Sequence, residues 1–339
     1  MQTTKIPTGA TRHTTFTRTI AKAAAALLLL GAAAGAWAQD YPNRVVRITT
    51  PFPAGSGVDV NLRLVADKLS KRWGKPVIIE NRPGANGFIA IEAAKRARPD
   101  GHELLQLDSA QMAAQPFLFK KIPYDLDRDF DPVTTIFRNY FFLAVPTTSP
   151  YKNVGELLAA ARAQPGGINY GSWFVGSPGH LGASMLDTAA GTTMMHIPFK
   201  EMTQLYTAVA NQEVSWAFGT IGSMNPLYRA GKLRFLAAAA PRRIARFTDV
   251  PTMGEAGGPA GFELSAWVGI LAPKGTPKAV RDKIYQDVAA VLKDPEIEER
   301  FTQMAYEPIA MTEAQFRGQL KTDAQRYGET IRRLNISLD

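Results

Sequence analysis

Pro51-Phe52-Pro53-Ala54-Gly55-Ser56-Gly57-Val58-Asp59 separates an apolar run, residues 45–50, from an amphipathic stretch, residues 60–73. The pattern predicts a strand, a tight Gly-rich turn and a helix. Glycines let the turn close without a Cβ clash, and the first amides of the helix are left without intrahelical acceptors. Those donors, with the positive end of the helix dipole, make a site for a carboxylate or a phosphate. Asp59 is expected to cap the helix, to touch the ligand, or both.

The same alternation extends outward from this turn. Strand patterns fall at 45–50, 77–80, 103–107, 141–145, 168–171, 193–197, 214–218, 233–238 and 268–272. Helical patterns lie between many of them, at 60–73, 89–97, 154–163, 181–190 and 203–210. Short apolar strands alternating with helices predict an α/β protein with mostly parallel sheets. After Pro277 the chain changes to long amphipathic helices at 278–292, 295–304 and 312–334, the last opened by a Thr312/Gln315 capping-box pair. Breaks at 146–150 and 254–261 bracket a block of about 110 residues, a domain-sized piece. The first and last thirds would then share one domain, with the chain crossing between domains twice.

The N-terminus gives an address. Lys5, Arg12, Arg18 and Lys22 are basic, no acid precedes Asp40, and an apolar stretch over 23–35 leads to Ala36-Trp37-Ala38. This reads as an export signal over 1–38, cut near Ala38, and the apolar run falls short of the ~20 residues that span a bilayer. Removing it takes away four basic residues of 39 and none of the 30 acids, so the formal charge falls from +9 to about +5. That surplus, with no basic run interleaved with aromatics, excludes nucleic acid as a partner and favours small anions. Zero cysteines exclude thiol nucleophiles, disulfides and Cys-zinc sites.

A second Gly-rich loop, Asn169-Tyr170-Gly171-Ser172-Trp173-Phe174-Val175-Gly176-Ser177-Pro178-Gly179-His180, again follows a strand and precedes a helix. It supplies amides and hydroxyls at a second helix start. Two such loops facing each other could grip two ends of a diacid, or one carboxylate from both sides. Trp173 and Phe174 either plug the core or wall an apolar pocket.

Other chemistries fit less well. Gly55-Ser56-Gly57 with Glu80 imitates a dinucleotide fingerprint, but Val60 takes the place of its third glycine. No G-x-S-x-G occurs, and Gly176-Ser177-Pro178-Gly179 has the wrong spacing for a nucleophile elbow. His102, His180 and His196 have no metal-ligand spacing, so structural roles are expected for them. Asp125, Asp127, Asp129 and Asp131 alternate, yet the turn glycine and terminal glutamate of a calcium loop are missing. A solvated acidic loop is expected there, and neither a cofactor nor a metal is expected anywhere.

The ordered set of short motifs resembles one family. Tyr41-Pro42, the turn Pro51–Gly55 with Asp59, Glu80-Asn81-Arg82-Pro83-Gly84-Ala85, Asp100-Gly101, Leu104-Leu105 and Lys121-Ile122-Pro123-Tyr124-Asp125 open the match. Asn169-Tyr170-Gly171-Ser172, His180-Leu181, His196-Ile197-Pro198-Phe199-Lys200, Ala230-Gly231-Lys232-Leu233-Arg234, Asp249-Val250-Pro251-Thr252 and Leu271-Ala272-Pro273 continue it. Together they resemble the substrate-binding proteins of tripartite tricarboxylate transporters, also called Bug proteins. The resemblance implies a type II periplasmic binding-protein fold. Two α/β lobes, 39–142 plus 265–339 and 143–264, would close on a ligand about a hinge. It implies a monomeric periplasmic receptor, not an enzyme, that hands a small organic carboxylate to membrane transporter subunits or to a sensor domain. An exported α/β hydrolase or dehydrogenase is the alternative, as is a sensor-kinase receptor with no uptake role.

The ligand-binding residues implied are Phe52, Gly55, Ser56, Gly57, Val58 and Asp59 in the first loop, with Ser109. From the second loop come Ser172, Trp173, Phe174, Gly176, Ser177 and His180, and further along the chain Phe199 and Thr220. Three departures from the family pattern bear on the ligand. Val58 replaces a hydroxyl residue, Trp173-Phe174 replaces small polar residues, and Glu201 and Gly219-Thr220 stand where Gly and Asp are usual. The lost acid disfavours an amino acid. The aromatics favour an aromatic or dicarboxylic acid, terephthalate-like, over a citrate-like one.

Overall fold

The computed structural model describes residues 41–173 and 175–338. The expected export signal and Phe174 lie outside the described residues. Two sheets organise the rest. The first runs in the order β11-β4-β10-β3-β1-β2. Its strands are β1 (Val46–Thr50), β2 (Val77–Asn81), β3 (Glu103–Asp108), β4 (Phe130–Tyr140), β10 (Ser265–Pro273) and β11 (Tyr306–Pro308). Helices α1 (Gly57–Trp73), α2 (Phe88–Lys95), α3 (Ser109–Ala113), α4 (Gln115–Leu118) and α5 (Leu126–Asp129) fill its first connections. The second sheet runs β7-β6-β8-β5-β9, from β5 (Phe142–Pro146), β6 (Asn169–Trp173), β7 (Met195–Phe199), β8 (Trp216–Gly219) and β9 (Leu233–Ala238). Its helices are α6 (Val154–Ala163), α7 (Pro178–Ala190), α8 (Met202–Ala210) and α9 (Ile221–Arg229). The chain ends in α10 (Lys278–Val291), α11 (Pro295–Gln303) and α12 (Glu313–Arg333), packed with the first sheet.

The α/β class expected from the alternation is the class observed, but the sheets are mixed rather than mostly parallel. In the first, β1 runs parallel to β2 and β3, whereas β10 is antiparallel to both β3 and β4, and β4 to β11. In the second, β6 is parallel to β7 and β8, and β5 antiparallel to β8 and β9. The antiparallel strands include those that carry the chain between the sheets. β4 leads through Phe141 into β5, and β10 follows the return at Leu264. Hydrophobic periodicity reports burial, not strand direction.

The expected acidic loop is the second correction. Asp125 caps α5 through the Arg128 amide, and β4 begins at Phe130. Asp129 pairs with Arg128 and Lys95, and Asp131 with Lys274 and the Gly275 amide. Paired charges can be buried, so an acid-rich stretch enters the sheet. The first helix also starts one turn earlier than its apolar pattern, with Ser56 rather than Asp59 as its cap.

Apolar side chains on one face of the first sheet, Val46, Ile48, Leu104, Phe137 and Val268, pack with Leu62, Val65 and Leu69 of α1 and with Val280, Ile284 and Val288 of α10. A separate core holds the second sheet around the buried Trp216, Phe218 and Tyr206. Three backbone hydrogen bonds tie the crossings together: Phe141 N–H to Leu264 O, Ala239 N–H to Phe141 O, and Leu264 N–H to Ala239 O.

Candidate functional site

A cleft of about 950 Å³ opens between the two sheets, lined from both. The loop after β1 supplies Phe52, Gly55, Ser56, Gly57 and Val58. Ser56 adopts extended dihedrals, and its Oγ accepts the Asp59 amide at 3.2 Å. Capping at the third amide leaves Gly57 and Val58 N–H with no acceptor among the described residues. Asp59 is buried behind the loop, not in the cleft. Its carboxylate accepts from Gly55 N–H (2.8 Å), Asn81 Nδ2 (2.7 Å) and Arg63 Nε (3.1 Å). Burial pushes its pKa up, but these hydrogen bonds and the Arg63 charge outweigh it and hold the group below the usual range.

Tyr306 of β11 completes this end of the cleft. Its ring stacks on Phe137, centroids 4.7 Å apart and 5° from parallel. A methyl placed on Gly57 would stand 3.0 Å from Tyr306 Oη, and one on Gly222 would stand 3.6 Å from it. Gly57 opens α1 beside the first sheet, and Gly222 lies in the first turn of α9, behind Thr220, beside the second. Two helix N-termini, one from each side, therefore converge on one hydroxyl. Burial pushes the Tyr306 pKa up to about 12, so it stays a neutral donor. The free Gly57 and Val58 amides, with the start of α9 and a phenol beside them, make a donor set for a carboxylate.

The second predicted loop is placed differently. Trp173 and Gly176 line the cleft, but Ser172, Ser177 and His180 lie behind the wall. Ser177 Oγ caps α7 by accepting the His180 amide at 3.3 Å. The Trp173 indole covers that helix start, since a methyl on Gly179 would meet it at 2.7 Å. It also stacks on Phe141. His180 Nδ1 accepts the Gly176 amide at 3.0 Å. The His180 ring stacks on His196, centroids 3.9 Å apart, while Ser172 Oγ and His196 Nε2 are 2.7 Å apart. Desolvation pushes both imidazole pKa values down to about 4, with the neighbouring His180 adding to the fall at His196. Ser172 is fully buried and His196 half-buried, and neither is among the residues that line the cleft.

Thr220 lines the cleft as the residue before α9. Ser109 is buried, its Oγ accepting the Trp267 amide at 3.4 Å. Phe199 lies outside the main cleft, in a shallower depression with Thr203 and Glu213. Sequence reasoning missed Gly222, Tyr306, Asp108, Gln111 and Asn139, all of which line the cleft. Asp108 and Gln111 form a reciprocal capping box on α3, a D-x-x-Q pattern legible in the sequence. Tyr306 sits in a three-residue strand, too short to show a period. The cleft is mostly apolar, with Phe52, Phe119, Phe137, Phe141, Trp173 and Met202 among its walls. Asp108 and Arg300 are the charged residues among its described lining.

Comparison with known proteins follows the same outline. A family described as "Tripartite tricarboxylate transporter family receptor" matches residues 61–336. A protein of the gbd 5' region of Cupriavidus necator is 32% identical over 330 residues, covering 95% of each chain. A solved structure from R. palustris, containing adipate, is 28% identical with a TM-score of 0.76 and covers 88% of this chain and 100% of that one. MatC from Rhodopseudomonas palustris, solved with bound malate, is 26% identical with a TM-score of 0.69, covering 86% of this chain and 100% of that one.

Proposed function

The chain belongs to the tripartite tricarboxylate transporter receptor family, and from that premise we propose that it captures a small organic diacid in its cleft for uptake. One observation carries this reading: the starts of α1 and α9 meet at Tyr306 Oη, with Gly57 and Val58 N–H unspent. A carboxylate there gains charge-assisted hydrogen bonds from both sides of the cleft and so favours the closed arrangement. The lobes are 39–142 plus 265–339 and 143–264, a division that the sheet membership of β4, β5 and β10 supports to within a residue. Closure about Phe141 and Leu264 is the state that the membrane subunits read. The receptor works in the periplasm as a monomer once its signal is cut near Ala38.

The body of the ligand is apolar. Beyond the donor set the floor is Phe137 and Val268, with Phe141 and Trp173 at the wall. Such walls bury a ring or a methylene chain and leave the hydroxyl groups of a citrate-like acid unpaired. The preferred ligand is a terephthalate-like or adipate-like diacid; adipate is what the similar R. palustris structure holds. Calorimetry and intrinsic tryptophan fluorescence against terephthalate, adipate, malate and citrate test this. Terephthalate or adipate should bind at least tenfold tighter than citrate. Tight citrate or malate binding with no response to the other two would refute it.

A further inference from the structure

Asp108 stands at the far end of the apolar floor from the donor set. It closes β3, where it pairs with Val268 of β10, which in turn pairs with Phe137 of β4, the residue under Tyr306. Two strand intervals, ~10 Å, separate Asp108 from Phe137. Its carboxylate caps α3 by accepting the Gln111 amide at 2.8 Å and the Ala110 amide. No cation lies within ion-pair distance of it among the described residues. An unpaired acid in a cleft built to take an anion is an incongruity that needs a role.

Resting on the diacid reading above, we propose that Asp108 meets the second carboxyl of the ligand and shares one proton with it, so that binding takes up a proton. Two carboxylates in hydrogen-bond contact cannot both stay ionised, and a single proton between them replaces repulsion with a strong hydrogen bond. The proton comes from solvent and resides between Asp108 Oδ and the ligand oxygen; no bond other than O–H is made or broken.

The surroundings supply no competing charge. From α12, Asp323 is engaged by Trp267 Nε1 (2.7 Å) and Arg326 (3.4 Å). Tyr327 of α12 is raised to about 12 by burial first, with Asp108 a lesser cause. Tyr124 is raised likewise, and its hydroxyl donates to Gln111 O at 2.7 Å. On β3 the other acid, Glu103, is paired with Arg47. Arg300 is exposed on α11, the helix that packs on β11 and α1. Burial alone pushes Asp108 up to about 6, against the pull of its two amides. A second carboxyl raises it further, so binding weakens with rising pH from about 6 up to the raised value in the complex, by at most about tenfold per pH unit for one proton.

The test is calorimetry of the full mature chain with adipate and terephthalate between pH 6.5 and 8.5, in buffers of differing ionisation heat. Wild-type affinity should fall by about tenfold or more across that range, with uptake of up to one proton. Asp108→Asn keeps a helix cap. It should vary less than threefold, take up no proton, and bind more tightly than wild type at pH 8.5. Hexanoate and benzoate, which lack the second carboxyl, should show no such slope with the wild-type chain, a comparison that needs no folded variant. A diacid slope matched by the monoacids or by Asp108→Asn, or a flat wild-type profile, overturns the proposal while leaving the diacid reading intact. Failure of every diacid to bind at any pH overturns both.

Discussion

Tyr306 does two jobs that a single atom separates. Its ring stacks on Phe137 and holds β11 against the sheet, while its hydroxyl faces Gly57 and Gly222. Tyr306→Phe keeps the stack and removes the donor. Diacid affinity should drop about tenfold or more, since a hydrogen bond to a charged group contributes ~1.5–3 kcal/mol, while the melting temperature stays within a degree or two. An unchanged affinity by calorimetry would remove Tyr306 from the site. Ser177 gives the opposite split. Because its Oγ caps α7 behind the wall, Ser177→Ala should cost about 1 kcal/mol of stability and change diacid affinity less than threefold. Denaturant melts and titration of the same sample measure both.

At the scale of the element, the stacked His180–His196 pair makes the second loop sensitive to acid. Both rings are neutral in the fold, because burial holds their pKa values near 4, below the ordinary value of 6.5. Between those values the unfolded chain binds protons that the folded chain does not. Stability is therefore full above pH 6.5 and falls as pH drops towards 4. Thermal melts at pH 7.5, 6 and 5 should show that decline, and a His180→Gln/His196→Gln double variant should show a shallower one. An equally steep decline in the variant would place the titrating groups elsewhere. The elements also show how far the sequence could be read. The turn at Gly55–Gly57 was legible because glycines between an apolar run and an amphipathic one have few other uses. Strand β4 was not legible. Asp129 and Asp131 hide its start, and Pro132 sits beside register shifts where it pairs with Leu271. Helix α9 was disguised by Pro226 inside it. The sequence points to a second anion cradle at Ser172–Ser177, whereas Ser172 and Ser177 are buried and Thr220 and Gly222, at the start of α9, line the cleft; no periodicity says which loops face each other.

The molecule as a whole is two sheets joined at two crossings and bridged at the rims. Arg242, after β9, reaches Glu307 of β11 at 3.2 Å, and Tyr140 Oη donates to the same carboxylate at 3.0 Å. On the other side Arg333 of α12 donates to Ser184 O of α7 at 3.3 Å. Beside these polar bridges, Tyr327 and Ile331 of α12 pack on Leu181 of α7 in a buried apolar cluster, so a ligand gripped from both sides adds to a balance between open and closed arrangements that this contact also sets. Small-angle scattering should show a smaller radius of gyration when terephthalate or adipate is added; no change would mean that the lobes do not close on their ligand. The most direct test is a crystal structure with whichever of these two diacids binds more tightly. One carboxylate should lie within hydrogen-bond distance of Gly57 or Val58 N–H and of Tyr306 Oη, with the apolar body over Phe137 and Val268. A ligand seated instead at the Ser172–Gly176 loop, with no contact to α1 or Tyr306, would contradict the account.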